Sequence, residues 1–401
     1  MSLYTIEEPA ASVPHRLWSA RHPLWALGFR PFYLLAALLA VLAIPLWLAQ
    51  YLGGFSAAPG ITLGWHMHEM VFGFAIAVIV GFLFTAGRTW TGLPTPHGAH
   101  LAALALLWIA GRIAMLAVPA WLAALVDLAF LPLAALAMFK VLHASGNKRN
   151  MFLVGLLGLL TLANAAFHGA VLGLLPVGQI APIHAAILLI VLIESVIGGR
   201  IIPMFTDNGA PGGAKSLVLP RNDKIAMAIM VAAIAGWVLG APGPLMAGLG
   251  LLACCATALR LLGWKPLRAA GVPLLWILHL SYAWISVGFL LLALAALGIG
   301  AASTAFHALA VGSMAGLILG MMVRTTLGHT GRKMVSGNAE VAMFALIQLG
   351  AVMRLAAALA PAPWRTWALV ASGACWSIAF ALFLLAYAPY LWRARVDGKE
   401  G

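Results

Sequence analysis

The stretch Trp65-His66-Met67-His68-Glu69-Met70, followed by the apolar run at 71–86, decides the expected fold of this chain. Together the two segments are long enough to cross the hydrocarbon core of a bilayer as one helix. Two imidazoles and a carboxylate therefore stand at the mouth of a predicted membrane helix. Ionisable groups at membrane depth are costly and normally mark a functional site.

Outward from this stretch, apolar runs of about twenty residues recur from position 31 to position 390. The chain has 401 residues, of which 64% are hydrophobic and 8% charged, a composition that excludes a soluble globular domain. Short alternating segments of the kind found in outer-membrane barrels are absent from the sequence. The sequence predicts an all-α, polytopic bundle of about twelve transmembrane helices. The predicted spans are 31–52, 64–86, 99–118, 120–142, 151–174, 179–203, 224–241, 243–263, 274–298, 302–323, 339–360 and 366–391.

The predicted domain organisation has three parts. Positions 1–30 form a cytoplasmic or interfacial segment, 31–392 the membrane domain and 393–401 a cytoplasmic tail. A polar connector at 204–223 divides the membrane domain into six spans that end near 203 and six that begin at 224.

Lysine and arginine crowd the predicted loops on one side of the membrane, whereas the opposite loops carry only Arg365. The positive-inside rule then places both termini in the cytoplasm, with the spans in contact with lipid. The net charge of +13 is interpreted as this topology signal and not as a nucleic-acid-binding surface.

Once the direction of each span is known, the position of a residue in the span gives its depth in the membrane, at about 1.5 Å per helical residue. The second, sixth and tenth predicted spans enter from the outer face and the fifth leaves toward it, so five imidazoles are expected in one outer layer. The layer comprises His66, His68, His168, His184 and His307. Neutral imidazole is the commonest metal ligand and the usual protein ligand of haem, so the layer predicts a metal or haem site. By helical spacing His66 and Glu69 share a face, while His68 is turned about 200° away.

A sparser group is predicted near the inner face. Its members are His279, His329, Arg200, Arg324 and Arg332. Arg112 and Arg354, inside spans, are candidates for haem propionates. Glu194 is expected either to pair with Arg200 or to relay protons, and Asp127 is a further membrane carboxyl with no assigned partner. Any single membrane histidine can instead hydrogen-bond a backbone carbonyl.

Two predicted spans share a weak sequence similarity. The second ends in Arg88-Thr89-Trp90-Thr91-Gly92 and the tenth in Arg324-Thr325-Thr326-Leu327-Gly328, and both begin with histidine. This similarity leaves open the hypothesis that the two halves of the chain arose by internal duplication.

These motifs resemble the NnrS family over nearly the whole chain. The resemblance is carried by 65–74 with 81–86, by Gly198-Gly199-Arg200-Ile201-Ile202-Pro203-Met204-Phe205-Thr206, by 278–284 and by 307–332. It implies a haem- and copper-containing membrane protein of bacterial nitric oxide metabolism, denitrification and resistance to nitrosative stress. The positions that match the family motifs are His66, His68, Glu69, His168, His279, His307 and His329. His184 matches no such motif and is predicted as a site residue from its depth alone.

We therefore expect one or more b-type haems, with copper as a further cofactor and nitric oxide as the ligand or substrate. In a haem-dependent oxidoreductase Glu69 would transfer protons or orient a ligand. The alternatives are a secondary transporter, which the six-plus-six division suggests, and a non-catalytic haem or metal sensor. A respiratory oxidase subunit is rejected because its adjacent His-His copper pair is missing. With no nucleotide-binding motif, electrons would come from a quinol or a partner protein.

Overall fold

The computed structural model describes residues 19–54, 60–213 and 215–399, and all regular secondary structure there is helical. Positions 1–18 of the predicted interfacial segment lie outside the described residues. Twelve long helices follow one another in the order that hydropathy predicts. They are α1 (Phe29–Tyr51), α2 (Leu63–Thr91), α3 (Gly98–Ala117), α4 (Ala120–Ala144), α5 (Met151–Val171), α6 (Ile180–Gly209), α7 (Pro220–Val238), α8 (Gly243–Gly263), α9 (Pro273–Ala296), α10 (Ala302–His329), α11 (Asn338–Leu359) and α12 (Ala362–Trp392).

Eleven of these helices are long and apolar enough to cross a membrane, which confirms the predicted multi-pass helical fold. The exception is α7, whose first turns carry Arg221, Asp223 and Lys224. Three helices run past their predicted ends by five or six residues, α2 to Thr91, α6 to Gly209 and α10 to His329. Hydropathy detects only the apolar part of a helix, and the polar last turns remain helical because their backbone hydrogen bonds are internal.

Helices α2 and α10 form the centre of the bundle. In their most apolar stretches 83% and 78% of residues are buried, against at most 61% in any other span. The two helices contact each other, and α1, α6 and other spans surround them. Polar groups on α2 are therefore enclosed by protein and do not face lipid, which is how membrane proteins retain ionisable side chains.

Both central helices contain a π-helical segment. It spans Glu69–Ala75 in α2 and Ala308–Ala315 in α10, and in each case it begins directly after a histidine. The spacing of the following glycines is also shared, with Gly73 and Gly81 in α2 matching Gly312 and Gly320 in α10. Such segments are rare and frequently occur at functional sites. The matching helices are second in the first half and fourth in the second half, so the likeness does not follow a simple six-plus-six repeat.

A tight contact between α8 and α9 gives a first testable prediction. A Cβ on Gly250 would lie 3.0 Å from the Phe289 carbonyl oxygen and 3.0 Å from the Ala293 Cβ, whereas one on Gly248 meets nothing within 4 Å. Small residues at such contacts let membrane helices approach closely. We expect Gly250→Leu to lower the free energy of unfolding by about 1–3 kcal/mol, and the matched Gly248→Leu to leave it unchanged. Thermal unfolding in detergent measures both, and equal shifts would contradict this packing.

Candidate metal centre

Six polar side chains from four helices, all buried except the partly buried Arg112, meet at the N-terminal end of α2. We call them the α2 polar cluster: His68 and Glu69 of α2, Arg112 of α3, Asp127 of α4, and Asn164 and His168 of α5. His68 and Glu69 are 0% and 1% exposed. Ionisable groups buried at this depth in a membrane bundle require partners, and the cluster provides them.

His68 lies between two carboxylates. Its Nδ1 is 3.1 Å from Glu69 Oε1, and its Nε2 is 3.1 Å from Asp127 Oδ2 and 3.0 Å from Asn164 Oδ1. A neutral imidazole has a single N–H. If Nδ1 donates that hydrogen to Glu69, Nε2 carries a lone pair. This lone pair points at the oxygen atoms of Asp127 and Asn164, which are also hydrogen-bond acceptors. A cation bound between Nε2 and these oxygen atoms would give each of them a partner.

Asp127 connects α2 with α5. Its Oδ2 accepts a hydrogen bond from Asn164 Nδ2 at 2.8 Å and lies 3.0 Å from His168 Nε2. One ligand atom each from His68, Asp127 and His168 lie within 4.8 Å of one another, so these three side chains can hold a metal ion. Two imidazoles and a carboxylate form a donor set typical of copper, iron and zinc.

The guanidinium of Arg112 bridges the two carboxylates. It donates to Glu69 at 2.9 and 3.0 Å through one amino group and bonds to Asp127 Oδ1 through the other. When both carboxylates are ionised, one guanidinium leaves the cluster with an excess negative charge. A cation between His68, Asp127 and His168 would neutralise that charge, which supports the metal-site interpretation.

The π segment shapes this end of α2. The hydrogen-bonding pattern of the helix widens after Glu69. The Glu69 carboxylate bonds to His68 and not to His66, the residue predicted to share its face. Trp108 Nε1 donates to the Gly73 carbonyl oxygen at 3.2 Å. This bond supplies a partner for a carbonyl inside the irregular turn, where helix hydrogen bonding is perturbed.

The other histidines of the predicted layer form a second group, the His307 group, which comprises His66, His184, His307 and Arg354. His307 interacts electrostatically with the other three. His307 Nδ1 lies 2.6 Å from the Ser303 carbonyl oxygen, His66 stacks on Trp47, and His184 stacks on Phe306 with ring centroids 3.5 Å apart. As their spacing predicts, His66 and His68 face different neighbours.

His279 and Arg324 lie at the other end of the bundle. His279 Nε2 is 2.8 Å from Thr206 Oγ1. The guanidinium of Arg324 lies 3.9 Å from the ring centroid of Phe205, the residue before Thr206 in the chain. Arg200 donates to Asn150 Oδ1 at 2.8 Å, while Glu194 accepts from Ser313. The suggested Glu194–Arg200 pair is therefore replaced by two separate contacts.

His329 and Arg332 lie beside the C-terminal segment. Arg395 donates to the His329 carbonyl oxygen at 3.1 Å, and Arg332 stacks over the Tyr390 ring at 3.7 Å. Hydrogen bonding from Arg395 holds the pKa of the Asp397 carboxyl well below its usual range. These contacts fasten the segment after α12 onto the end of α10.

The sequence predicts His68, Glu69 and His168 as site residues, but it assigns no partner to Asp127, and Asn164 is not among the predicted residues. One signal for Asn164 was available. It is an amide inside an otherwise apolar span, four residues before His168, so both side chains share a helix face.

The family model described as NnrS protein matches residues 23–395, which is nearly the whole chain. Among curated proteins, none matches this sequence.

Proposed function

Because this chain belongs to the NnrS family, whose members are linked to nitric oxide, we propose that it is a haem- and metal-binding protein of the bacterial inner membrane. Its role would lie in nitric oxide metabolism or in resistance to nitrosative stress. The observation that carries the proposal is the α2 polar cluster, in which two imidazoles and a carboxylate converge inside a multi-pass bundle.

His68, Asp127 and His168 would hold the ion. Their nitrogen and oxygen donors favour copper(II), iron(II) or zinc over copper(I), which prefers sulfur. Glu69 would orient His68 through Nδ1, as carboxylates commonly do beside metal-bound histidines, and Arg112 would hold Glu69. This assignment gives Glu69 an orienting role beside the ion.

The surroundings suit a small lipid-soluble gas. A redox-active ion would supply reversible nitric oxide binding and one-electron transfer. The ring centroids of Phe167 and Phe72 lie 4.9 and 5.2 Å from that of His68, which is 0% exposed. A dry site strengthens the electrostatic interactions of its charged groups and limits side reactions. Nitric oxide can approach through the apolar bundle without crossing an aqueous channel.

The His307 group is our candidate for haem. Nδ1–H of His307 can donate to the Ser303 carbonyl oxygen, which fixes the ring and leaves Nε2 for iron. His66 Nδ1 is buried without a hydrogen-bond partner among the described residues, so His66 is a candidate for a further haem ligand. Arg354 offers a guanidinium for a propionate.

A second haem has a weaker candidate position at His279. Its Nδ1 is buried with no hydrogen-bond partner in the described part of the chain, and Arg324 lies over the ring next to its Thr206 contact. The His279 imidazole and the Arg324 guanidinium, at the same end of the bundle, would supply a ligand and a propionate partner. His184, His329, Arg200 and Arg332 remain further candidate ligands or propionate partners.

An absorbance spectrum of the protein, purified after expression with ample haem and reduced with dithionite, tests the haem proposal. We expect Soret and α bands that shift when nitric oxide is added. His307→Ala should remove a haem and its bands, because it deletes the ligand, while His143→Ala, at the exposed end of α4, should leave them unchanged. A wild-type spectrum without these bands would exclude haem.

Turnover separates an enzyme from a sensor. If the protein is an oxidoreductase, a nitric oxide electrode should record consumption that requires reductant and protein together. A sensor would give the spectral shift and no consumption. Uptake by reconstituted vesicles, with no stoichiometric haem, would instead identify a transporter.

A further inference from the structure

A cavity lies between the two central helices and three of their neighbours. It has a volume of about 80 Å³ and is lined by side chains of α1, α2, α6, α9 and α10. The wall is mostly aliphatic and aromatic, and it includes Val78, Leu83, Ile197, Leu278, Leu317 and Met321. Of the described residues that line it, none belongs to the α2 polar cluster or to the His307 group, so the cavity is separate from both proposed sites.

The cavity offers a ligand almost no polar surface. Glu194 lies in the wall, but its Oε2 accepts a hydrogen bond from Ser313 Oγ at 2.9 Å and its Oε1 is buried. The hydroxyl oxygen of Tyr33 is buried as well. At about 10–15 Å³ each, several waters would fit the volume, but a bound water needs about two to four polar partners. Because the accessible wall supplies almost none, we expect the cavity to be dry.

The volume limits the size of the ligand. An apolar cavity of about 150 Å³ in another protein stays dry and binds benzene or xenon. The cavity here, at about 80 Å³, is roughly half as large. A single xenon atom or a diatomic molecule fits this space, whereas a substituted ring or a lipid chain does not.

The wall also excludes charged ligands and cofactors. A metal ion requires several donor atoms and haem requires an axial ligand, and the accessible wall supplies neither. A charged solute would lose its hydration without gaining a counter-charge, which is costly in an apolar environment. The ligand that remains is an uncharged molecule of a few atoms, held by dispersion contacts with the surrounding side chains.

The position of the cavity relates it to the histidines. On the two central helices the lining residues Val78 and Leu317 each come ten positions after a histidine, His68 and His307 respectively, which is no more than about 15 Å along the helix. On α9, His279 directly follows a lining residue. The cavity therefore lies between the outer histidines and His279.

We propose that this cavity is a binding site for a small uncharged gas. The identity of the gas as nitric oxide rests on the proposed function. Nitric oxide dissolves in hydrocarbon, so it reaches the cavity from lipid by passing between apolar side chains. Dispersion contacts are weak and non-directional, so the bound gas exchanges rapidly and its occupancy follows the gas concentration in the membrane. The cavity would keep nitric oxide within reach of both groups of histidines.

Xenon tests the site without any metal or haem, because the atom is inert and binds through dispersion contacts. Crystals of the full-length protein pressurised with xenon should show one anomalous peak inside the cavity. Leu317→Trp should remove this peak, because the indole fills the space, and Leu317→Ala should strengthen it by enlarging the space. The matched control is Leu385→Trp, since Leu385 is 78% exposed on α12 and its replacement should leave the peak unchanged.

The unmodified protein keeps the test independent of folding in the variants. A wild-type map in which xenon occupies other positions and leaves this cavity empty would overturn the proposal. An undiminished peak in Leu317→Trp would overturn it as well, because the site would then lie elsewhere.

A rate measurement tests nitric oxide as the ligand. After mixing of nitric oxide with the dithionite-reduced protein, its association should be slower in Leu317→Trp than in Leu385→Trp, because the filled cavity no longer holds gas near the histidines. Metal content and the reduced spectrum should be the same in both variants. Equal association rates would overturn nitric oxide as the ligand of the cavity. If the wild-type protein holds neither haem nor metal, the proposed function fails, while the xenon map still decides whether the cavity binds gas.

Discussion

Asp127→Asn should remove most of the metal bound by the purified protein. Asp127 supplies the oxygen donor that faces both His68 and His168, and its replacement by an amide deletes a negative charge from the set. Loss of an outer partner alone commonly lowers metal affinity by about 10–100-fold, and loss of a ligand should cost at least the upper end of that range. Elemental analysis after expression with copper, iron and zinc, followed by chelator competition, measures the loss.

The companion variants make this prediction specific. His68→Ala and His168→Ala should show losses as large as Asp127→Asn, whereas Glu69→Gln should show a smaller one because Glu69 acts through His68. The matched control is Glu340→Gln, a carboxyl group at the start of α11 that accepts from Tyr387 at 2.5 Å. Wild-type metal content in Asp127→Asn, with a normal fold, would show that the cluster is a structural ion-pair network.

The sequence predicts the helices and the depth of the site because both depend on local properties. Runs of apolar residues define α1 to α12, and the alternation of spans places His68 and His168 near one end of the bundle. Where hydropathy is mixed, as in α7 with Arg221 and Asp223, the boundary is less sharply defined. The length of α10 was underestimated for the same reason.

The partners inside the layer depend on tertiary packing, so the sequence does not specify them. His68 and His66 are equally deep, yet one contacts α4 and α5 and the other contacts α1. The π segment was also unpredicted. It begins directly after His68, and hydropathy carries no signal for it. A single span therefore serves two different groups.

Arg112→Leu should strongly destabilise the protein. The substitution leaves Glu69 and Asp127 buried without their common cation, and breaking a buried ion pair by removing one partner lowers the free energy of unfolding by about 3–5 kcal/mol. Thermal unfolding in detergent should show a large fall in the midpoint. Arg365→Leu is the control, because Arg365 is exposed and donates a long 3.4 Å bond to the Ala360 carbonyl oxygen.

Two further results would distinguish charge from packing as the cause. Adding Glu69→Gln to Arg112→Leu removes one of the uncompensated carboxylates, so the double variant should be more stable than Arg112→Leu alone. Excess zinc should also raise the unfolding temperature of Arg112→Leu more than that of wild type, because an ion held by His68, Asp127 and His168 restores positive charge to the cluster. If neither change rescues Arg112→Leu, its loss of stability comes from lost packing on Trp108, whose ring lies 5.6 Å from the guanidinium, and the charge argument for the metal centre fails.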